Sequence, residues 1–153
     1  MGLTRTVLDD LKLQMDEKGH RLAMETCGDI LEVFADPQLL RQVVLNLASN
    51  AVKYSPSGGD ISVRLARERD VVRWQIQDTG IGIPRESQRH LFEKFYRADN
   101  VAALETDGTG LGLYLVRLIV EQIGGRVGCE SEEGHGAMFY FTVPVAQSSP
   151  KFL

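Results

Sequence analysis

Apolar positions recur along this chain with two different periods, and each change of period marks a new element. Residues 4–17 carry Val7, Leu8 and Leu11 between charged residues, the spacing of an amphipathic helix. "HRLAMET" and "ILEVFA" read as short strands. "DPQLLRQVVLNLASNAVKYS" predicts a long helix, with Asp36 as N-cap and Pro37 at the first helical position, where no N–H is needed. Leu40, Val43, Val44, Leu47 and Ala51 form its core-facing stripe. "DISVRLARE" and "VVRWQIQD" alternate with period two, as two strands of a hairpin joined near Arg69-Asp70. "PRESQRHLFEKF" predicts a short helix with Phe92 and Phe95 as core anchors three residues apart. Residues 98–107 keep no steady period and predict a mobile loop. Leu111 to Ile123 predicts a helix stopped by Gly124-Gly125. "RVGCES" and "AMFYFTVP" close the chain as strands, and "AQSSPKFL" reads as a frayed tail. Irregular alternation with hairpins predicts an α+β fold of two layers, helices on one sheet face. The predicted unit is one domain over residues 1–145, with a disordered tail at 146–153.

Composition narrows the function classes. At 153 residues the chain buries a sizeable core without staples, and its 43% hydrophobic and 25% charged residues are ordinary for a globular domain. A formal net charge of -4 argues against a nucleic-acid binder. The two cysteines, Cys27 and Cys129, have no CxxC or CxxH spacing, so they fit a reducing compartment and supply no metal site. No apolar run approaches a membrane span and no signal peptide is visible, which predicts a cytoplasmic domain without membrane contact.

Four clusters carry chemistry. On the helix after Pro37, Asn46, Asn50 and Lys53 fall within roughly 60° of arc opposite the apolar stripe. Asparagine is a poor helix-interior residue. The face is therefore either a solvated polar stripe or a carboxamide for a hard cation beside an ammonium for phosphate. "DTGIGIP", residues 78–84, ends the second hairpin strand. Asp78, Gly80 and Gly82 are turn chemistry, or a carboxylate for an exocyclic amine with glycines admitting a base close to the backbone. "LFEKFYRAD" puts Arg97, whose planar fork suits phosphate, at the mouth of the loop. "DGTGLGL" places Gly108, Gly110 and Gly112 ahead of a helix. Such a helix start bares N–H groups and the positive end of the dipole, and suits an anion. It is neither a P-loop, for no lysine follows, nor the dinucleotide fingerprint, for Leu113 stands where a third glycine belongs.

In order and type, "NLASNAVKYS", "DTGIGIP", "LFEKFYR" and "GTGLGL" resemble the N, G1, F and G2 boxes of the ATP-binding catalytic domain of sensor histidine kinases. The resemblance covers roughly residues 4–145. It implies the Bergerat fold, a two-layer α/β sandwich with a mixed, mostly antiparallel sheet of about five strands and about three helices on one face. It implies Mg²⁺ on Asn50, phosphate contacts from Lys53 and Arg97, Tyr54 flanking adenine and Asp78 binding its amine. It also implies a nucleotide site that includes Asn46, Gly80, Gly82, Ile83, Gly108, Thr109, Gly110, Leu111, Gly112 and Leu113, under a lid at 98–107. The implied activity is donation of the γ-phosphoryl group of Mg-ATP to a histidine. That histidine would lie on a separate dimerisation domain, and a response-regulator receiver domain would be an indirect partner.

The three histidines stand in "GHRL", "RHLF" and "GHGA", none in an acceptor setting. They read as surface residues, and the chain reads as a catalytic fragment of a longer sensor. Ala137 departs from relatives that carry Thr or Ser near the adenine. Hydrolysing ATPases of the same superfamily keep a glutamate one helical turn before the metal-binding Asn. That place is Asn46, which cannot accept a proton from water. The alternatives are a hydrolysing ATPase, a serine kinase on the same fold and a non-catalytic ATP-sensing module.

Overall fold

The structure, a computed structural model, describes residues 2–29, 33, 35–102 and 108–145. Five strands make one mixed sheet: β1 (Arg21–Cys27), β2 (Asp60–Glu68), β3 (Val71–Asp78), β4 (Val127–Ser131) and β5 (Ala137–Pro144), in the order β1-β2-β3-β5-β4. β1 and β2 run parallel, and the other neighbours are antiparallel. Period-two patterning puts Ile61, Val63, Leu65, Trp74, Ile76, Phe139, Phe141 and Val143 in the core. Trp74 and Phe141 stack with ring centroids 5.3 Å apart, and the indole N–H of Trp74 donates to Thr4 Oγ1 at 3.1 Å. That bond satisfies the one polar atom of a buried indole and ties the chain's first helix to the sheet. On the other face the Arg73 guanidinium lies 3.8 Å from the centroid of Tyr140.

The helix layer comprises α1 (Gly2–Asp10), α2 (Lys12–Glu17), α3 (Pro37–Tyr54) and α6 (Gly112–Gln122), with short α4 (Arg85–Gln88) and α5 (Asp99–Ala102) between. α3 packs against α1, α6 and β3, and buries Val43, Val44, Leu47, Ala48, Ala51 and Val52. Its N-terminus is capped as predicted: Asp36 Oδ1 accepts from Gln38 N at 2.8 Å. Just past the end of α6, Gly124 N returns to Glu121 O and Gly125 N to Val120 O. The fold is thus the α+β two-layer arrangement the periodicities predict. Among the described residues no helix is long and apolar enough to cross a membrane.

The differences are local. The helix expected over 4–17 is two segments, because the Leu11 amide is shared between Val7 O and Leu8 O and the spiral tightens there. "PRESQRHLFEKF" is helical only over Arg85–Gln88. His90, Glu93 and Tyr96 then each donate to the residue three before, a series of turns. Phe92 meets Phe139 edge-on in the core, but Phe95 is 64% exposed with φ +65°, so only one of the two expected anchors is an anchor. Asp99–Ala102 form one helical turn inside the segment expected as a loop, and the rest of that loop, 103–107, lies outside the described residues. Val33 makes an isolated antiparallel bridge to Val145. Ala35 is a bend outside any strand, and residues 30–32 and 34 of "ILEVFA", like the tail at 146–153, lie outside the described residues.

Candidate functional site

A cleft of ≈ 570 Å³ opens between the C-terminal half of α3, the segment after β3, α5 and the start of α6. Asn50, Lys53, Tyr54, Asp78, Gly82, Ile83, Arg97, Gly108, Thr109, Gly110, Gly112 and Leu113 all line it, gathered from four stretches of sequence. Asn46, Gly80 and Leu111 are not among the lining residues. Asn46 sits against the start of α6, its Oδ1 at 3.3 Å from where a Cβ on Gly112 would stand. Gly80 is packed beneath Tyr54, and Leu111 is the N-cap of α6.

Buried apolar side chains, Val52, Ile83, Leu91, Ala137 and Phe139, line the cleft together with one buried carboxylate, Asp78 at the end of β3, 6% exposed. Burial pushes the Asp78 carboxyl above its ordinary value. Backbone N–H bonds from Gly80, at 2.7 Å to Oδ1, and from Ala137 pull the other way. Burial also pushes the nearby Cys129 thiol up to about 12, which leaves it an inert neutral side chain of β4.

Lys53 and Arg97 bring basic groups to the same lining. A Cβ on Gly108 would stand 3.6 Å from Arg97 Nε and 3.7 Å from Lys53 Nζ, so bare backbone faces two cations. Gly110 has φ +70°, and a Cβ there would stand 2.6 Å from the backbone carbon of Phe95. The Phe95 amide donates to Gly110 O at 2.9 Å. This contact accounts for both the left-handed backbone of Phe95 and the glycine: two chain segments cross with no room for a side chain. Thr109 Oγ1 accepts from Leu111 N at 3.3 Å, opening the first turn of α6 beside the cleft.

The sequence reading missed three lining residues from the first helices: Gln14, Glu17 and Lys18. Lys18 Nζ donates to Val52 O and Lys53 O, both at 2.9 Å. An ammonium thus closes the open C-terminal carbonyls of α3, the turn that carries Lys53 and Tyr54. No local pattern links Lys18 to residues more than thirty positions later. At the mouth, Asn100 Nδ2 donates to Gly82 O at 2.9 Å, fastening α5 to the segment after β3. None of the three histidines lines the cleft. His135 is exposed, as expected. His20 and His90 are half-buried at the surface, with ring nitrogens at 3.1 Å from Pro56 O and 2.7 Å from Glu93 Oε1, and neither belongs to the core.

Residues 35–147 match the family described as histidine kinase-, DNA gyrase B-, and HSP90-like ATPases. Over 146 residues, 95% of the chain, it is 40% identical to the adaptive-response sensory kinase SasA of Rippkaea orientalis; it spans 37% of that relative's length. Among solved structures, full-length ShkA in complex with AMPPNP superposes with TM-score 0.83 at 34% identity, covering 95% of this chain and 30% of that one. The nucleotide-free catalytic domain of the histidine kinase ThkA superposes with TM-score 0.81 at 29% identity, covering 94% of this chain and 92% of that one.

Proposed function

The chain belongs to the histidine kinase-, DNA gyrase B-, and HSP90-like ATPase family, and from that premise we propose that it binds Mg-ATP and donates the γ-phosphoryl group to a histidine on a separate dimerisation domain. One observation carries this reading. The cleft's lining combines a buried carboxylate, Asp78, and several buried apolar side chains with two cations that face a bare glycine backbone. That combination suits an adenine nucleotide. Asp78 accepts the exocyclic amine, with Tyr54 beside the base and Gly82 and Ile83 as the neighbouring wall. Lys53 and Arg97, with the N–H groups of Gly108–Gly112 at the start of α6, hold the phosphates.

A hard cation fits this donor set. Among the described residues no three His, Cys, Asp or Glu side chains gather into a metal site, so Mg²⁺ would rest on Asn50 and on the phosphate oxygens. It would supply neutralisation of phosphate charge. The protein's own part is positioning and charge: Lys53 and Arg97 stabilise the transferring group, and α3 fixes Asn50 and Lys53 one turn apart. An imidazole acceptor needs no strong base. This suits a site where Asn46 occupies the position at which hydrolysing relatives keep a glutamate. Residues 1–145 act as the catalytic unit in the cytoplasm, and a response-regulator receiver takes the phosphoryl group from the acceptor domain in turn. The sensory-kinase relative and the kinase catalytic domains of matching shape favour this reading over a purely hydrolytic one.

In calorimetry with Mg²⁺, ATP should bind one per chain. GTP should bind at least about tenfold more weakly, because a carbonyl in place of the exocyclic amine meets the Asp78 carboxylate. Equal affinity for the two nucleotides would remove Asp78 from the base site.

A further inference from the structure

The segment Ile81–Ile83 forms one wall of the cleft beside Asp78, yet it belongs to no helix or strand. Its position is fixed from outside the cleft. Ser131, the last residue of β4, accepts from Ile83 N at 2.9 Å and donates its own proton to Gly136 O at 2.7 Å. Gln88 of α4 donates from Nε2 to Ile83 O at 2.9 Å and to Ser131 O at 2.8 Å. Gly134 N adds a bond to Ile81 O at 2.7 Å. A single hydroxyl therefore joins two walls: Ile83 on one side, and on the other Gly136, whose neighbour Ala137 gives its N–H to Asp78. Neither Ser131 nor Gln88 is among the cleft's lining residues.

We propose that Ser131, supported by Gln88, is a positioning residue of the nucleotide site. It sets the distance between the Ile83 wall and the Gly136–Ala137 wall, and so the width of the adenine slot and the aim of Asp78. This rests on the reading of the cleft as an adenine-nucleotide site. Without the hydroxyl, the buried Ile83 amide loses its partner and the segment samples positions that do not receive the base. Apparent affinity then falls by the fraction of time the wall is correctly placed. The effect lies at the base, so it is blind to the number of phosphates.

The test compares ADP and ATP affinities, amide exchange at Ile83 and thermal unfolding for the wild-type chain, Ser131→Ala, Ser131→Thr and Gln88→Met. Ser131→Ala should weaken ADP and ATP by the same factor, about tenfold, the cost of a wall correctly placed about a tenth of the time. It should also speed exchange at Ile83. Ser131→Thr, which keeps the hydroxyl, should restore most of both. Gln88→Met should shift affinity in the same direction by a smaller factor, and serves if Ser131→Ala does not fold. A wild-type chain that binds neither nucleotide overturns the functional reading and this inference together. Wild-type binding with unchanged affinity in Ser131→Ala, or in Gln88→Met if that variant alone folds, overturns the inference alone. So does a loss confined to ATP, whatever the unfolding temperature does.

Discussion

Asn50→Ala should abolish Mg²⁺-dependent phosphoryl transfer to a supplied acceptor domain while the chain stays folded. Asn50 lines the cleft from the same helix as Lys53, and its carboxamide oxygen is the protein's proposed ligand to the cation. Among the described residues no three His, Cys, Asp or Glu side chains gather into a metal site, so Asn50 is the expected protein ligand. Without its oxygen the transferring group loses part of its charge neutralisation and its fixed position. Losing one such preorganised contact typically costs about 10²–10³ in rate. Folding moves the other way: Asn50 is half-buried within an 18-residue helix, and alanine gains up to about 0.7 kcal/mol of helix propensity. Full transfer by Asn50→Ala at equal stability would make the Asn50 face a solvated stripe with no metal.

Asp78→Asn should weaken ATP about tenfold or more without weakening the fold. The carboxylate is 6% exposed, and the proposed bond from the adenine amine to it would be charge-assisted, worth about 1.5–3 kcal/mol. Asparagine keeps an oxygen for the Gly80 and Ala137 amides but loses the charge, and it can turn its own N–H₂ toward the base. Stability follows from the direction of the titration. Burial raises the folded-state value of Asp78, so its contribution favours folding at low pH and is lost as pH rises through that value. At neutral pH the ionised group is therefore a cost that asparagine removes, and the unfolding temperature should hold or rise. For binding the sign reverses, because the ionised form is the better acceptor. Wild-type affinity for ATP should fall on acidification at a pH above the ordinary carboxylate range, and Asp78→Asn should lack that limb. A calorimetric affinity identical in the two proteins would leave Asp78 a turn residue and nothing more.

Sequence reading reached those elements whose causes are local. The cap of α3 needs only Asp36 and Gln38, two positions apart, and the sheet core follows from strict alternation in "DISVRLARE" and "VVRWQIQD". Most of the expected site residues also meet in one cleft, because each marks the end of a readable element: Asn50 and Lys53 on the last turns of α3, Asp78 at the end of β3 and Gly112 at the start of α6. What failed depends on partners distant in sequence. Phe95 was expected in the core by spacing, but its backbone is recruited to cross Gly110, and the ring turns outward. Lys18, Gln88 and Ser131 belong to unremarkable polar stretches, and their roles exist only once α2, α3, α4 and β4 have come together. Leu11 shows the smaller limit: periodicity sees one amphipathic face across 4–17 and misses a tightened turn that preserves the face.

The most direct measurement incubates the chain with γ-labelled ATP and Mg²⁺, alone and with a histidine-bearing dimerisation domain of a sensory-kinase relative, and follows label on protein beside release of free phosphate. Label should appear on the added domain as acid-labile, base-stable phosphohistidine. The chain alone should remain unlabelled at His20, His90 and His135, none of which lines the cleft, and free phosphate should stay minor. Stoichiometric free phosphate with no label on the acceptor, or stable label on the chain's own histidines, would contradict the account.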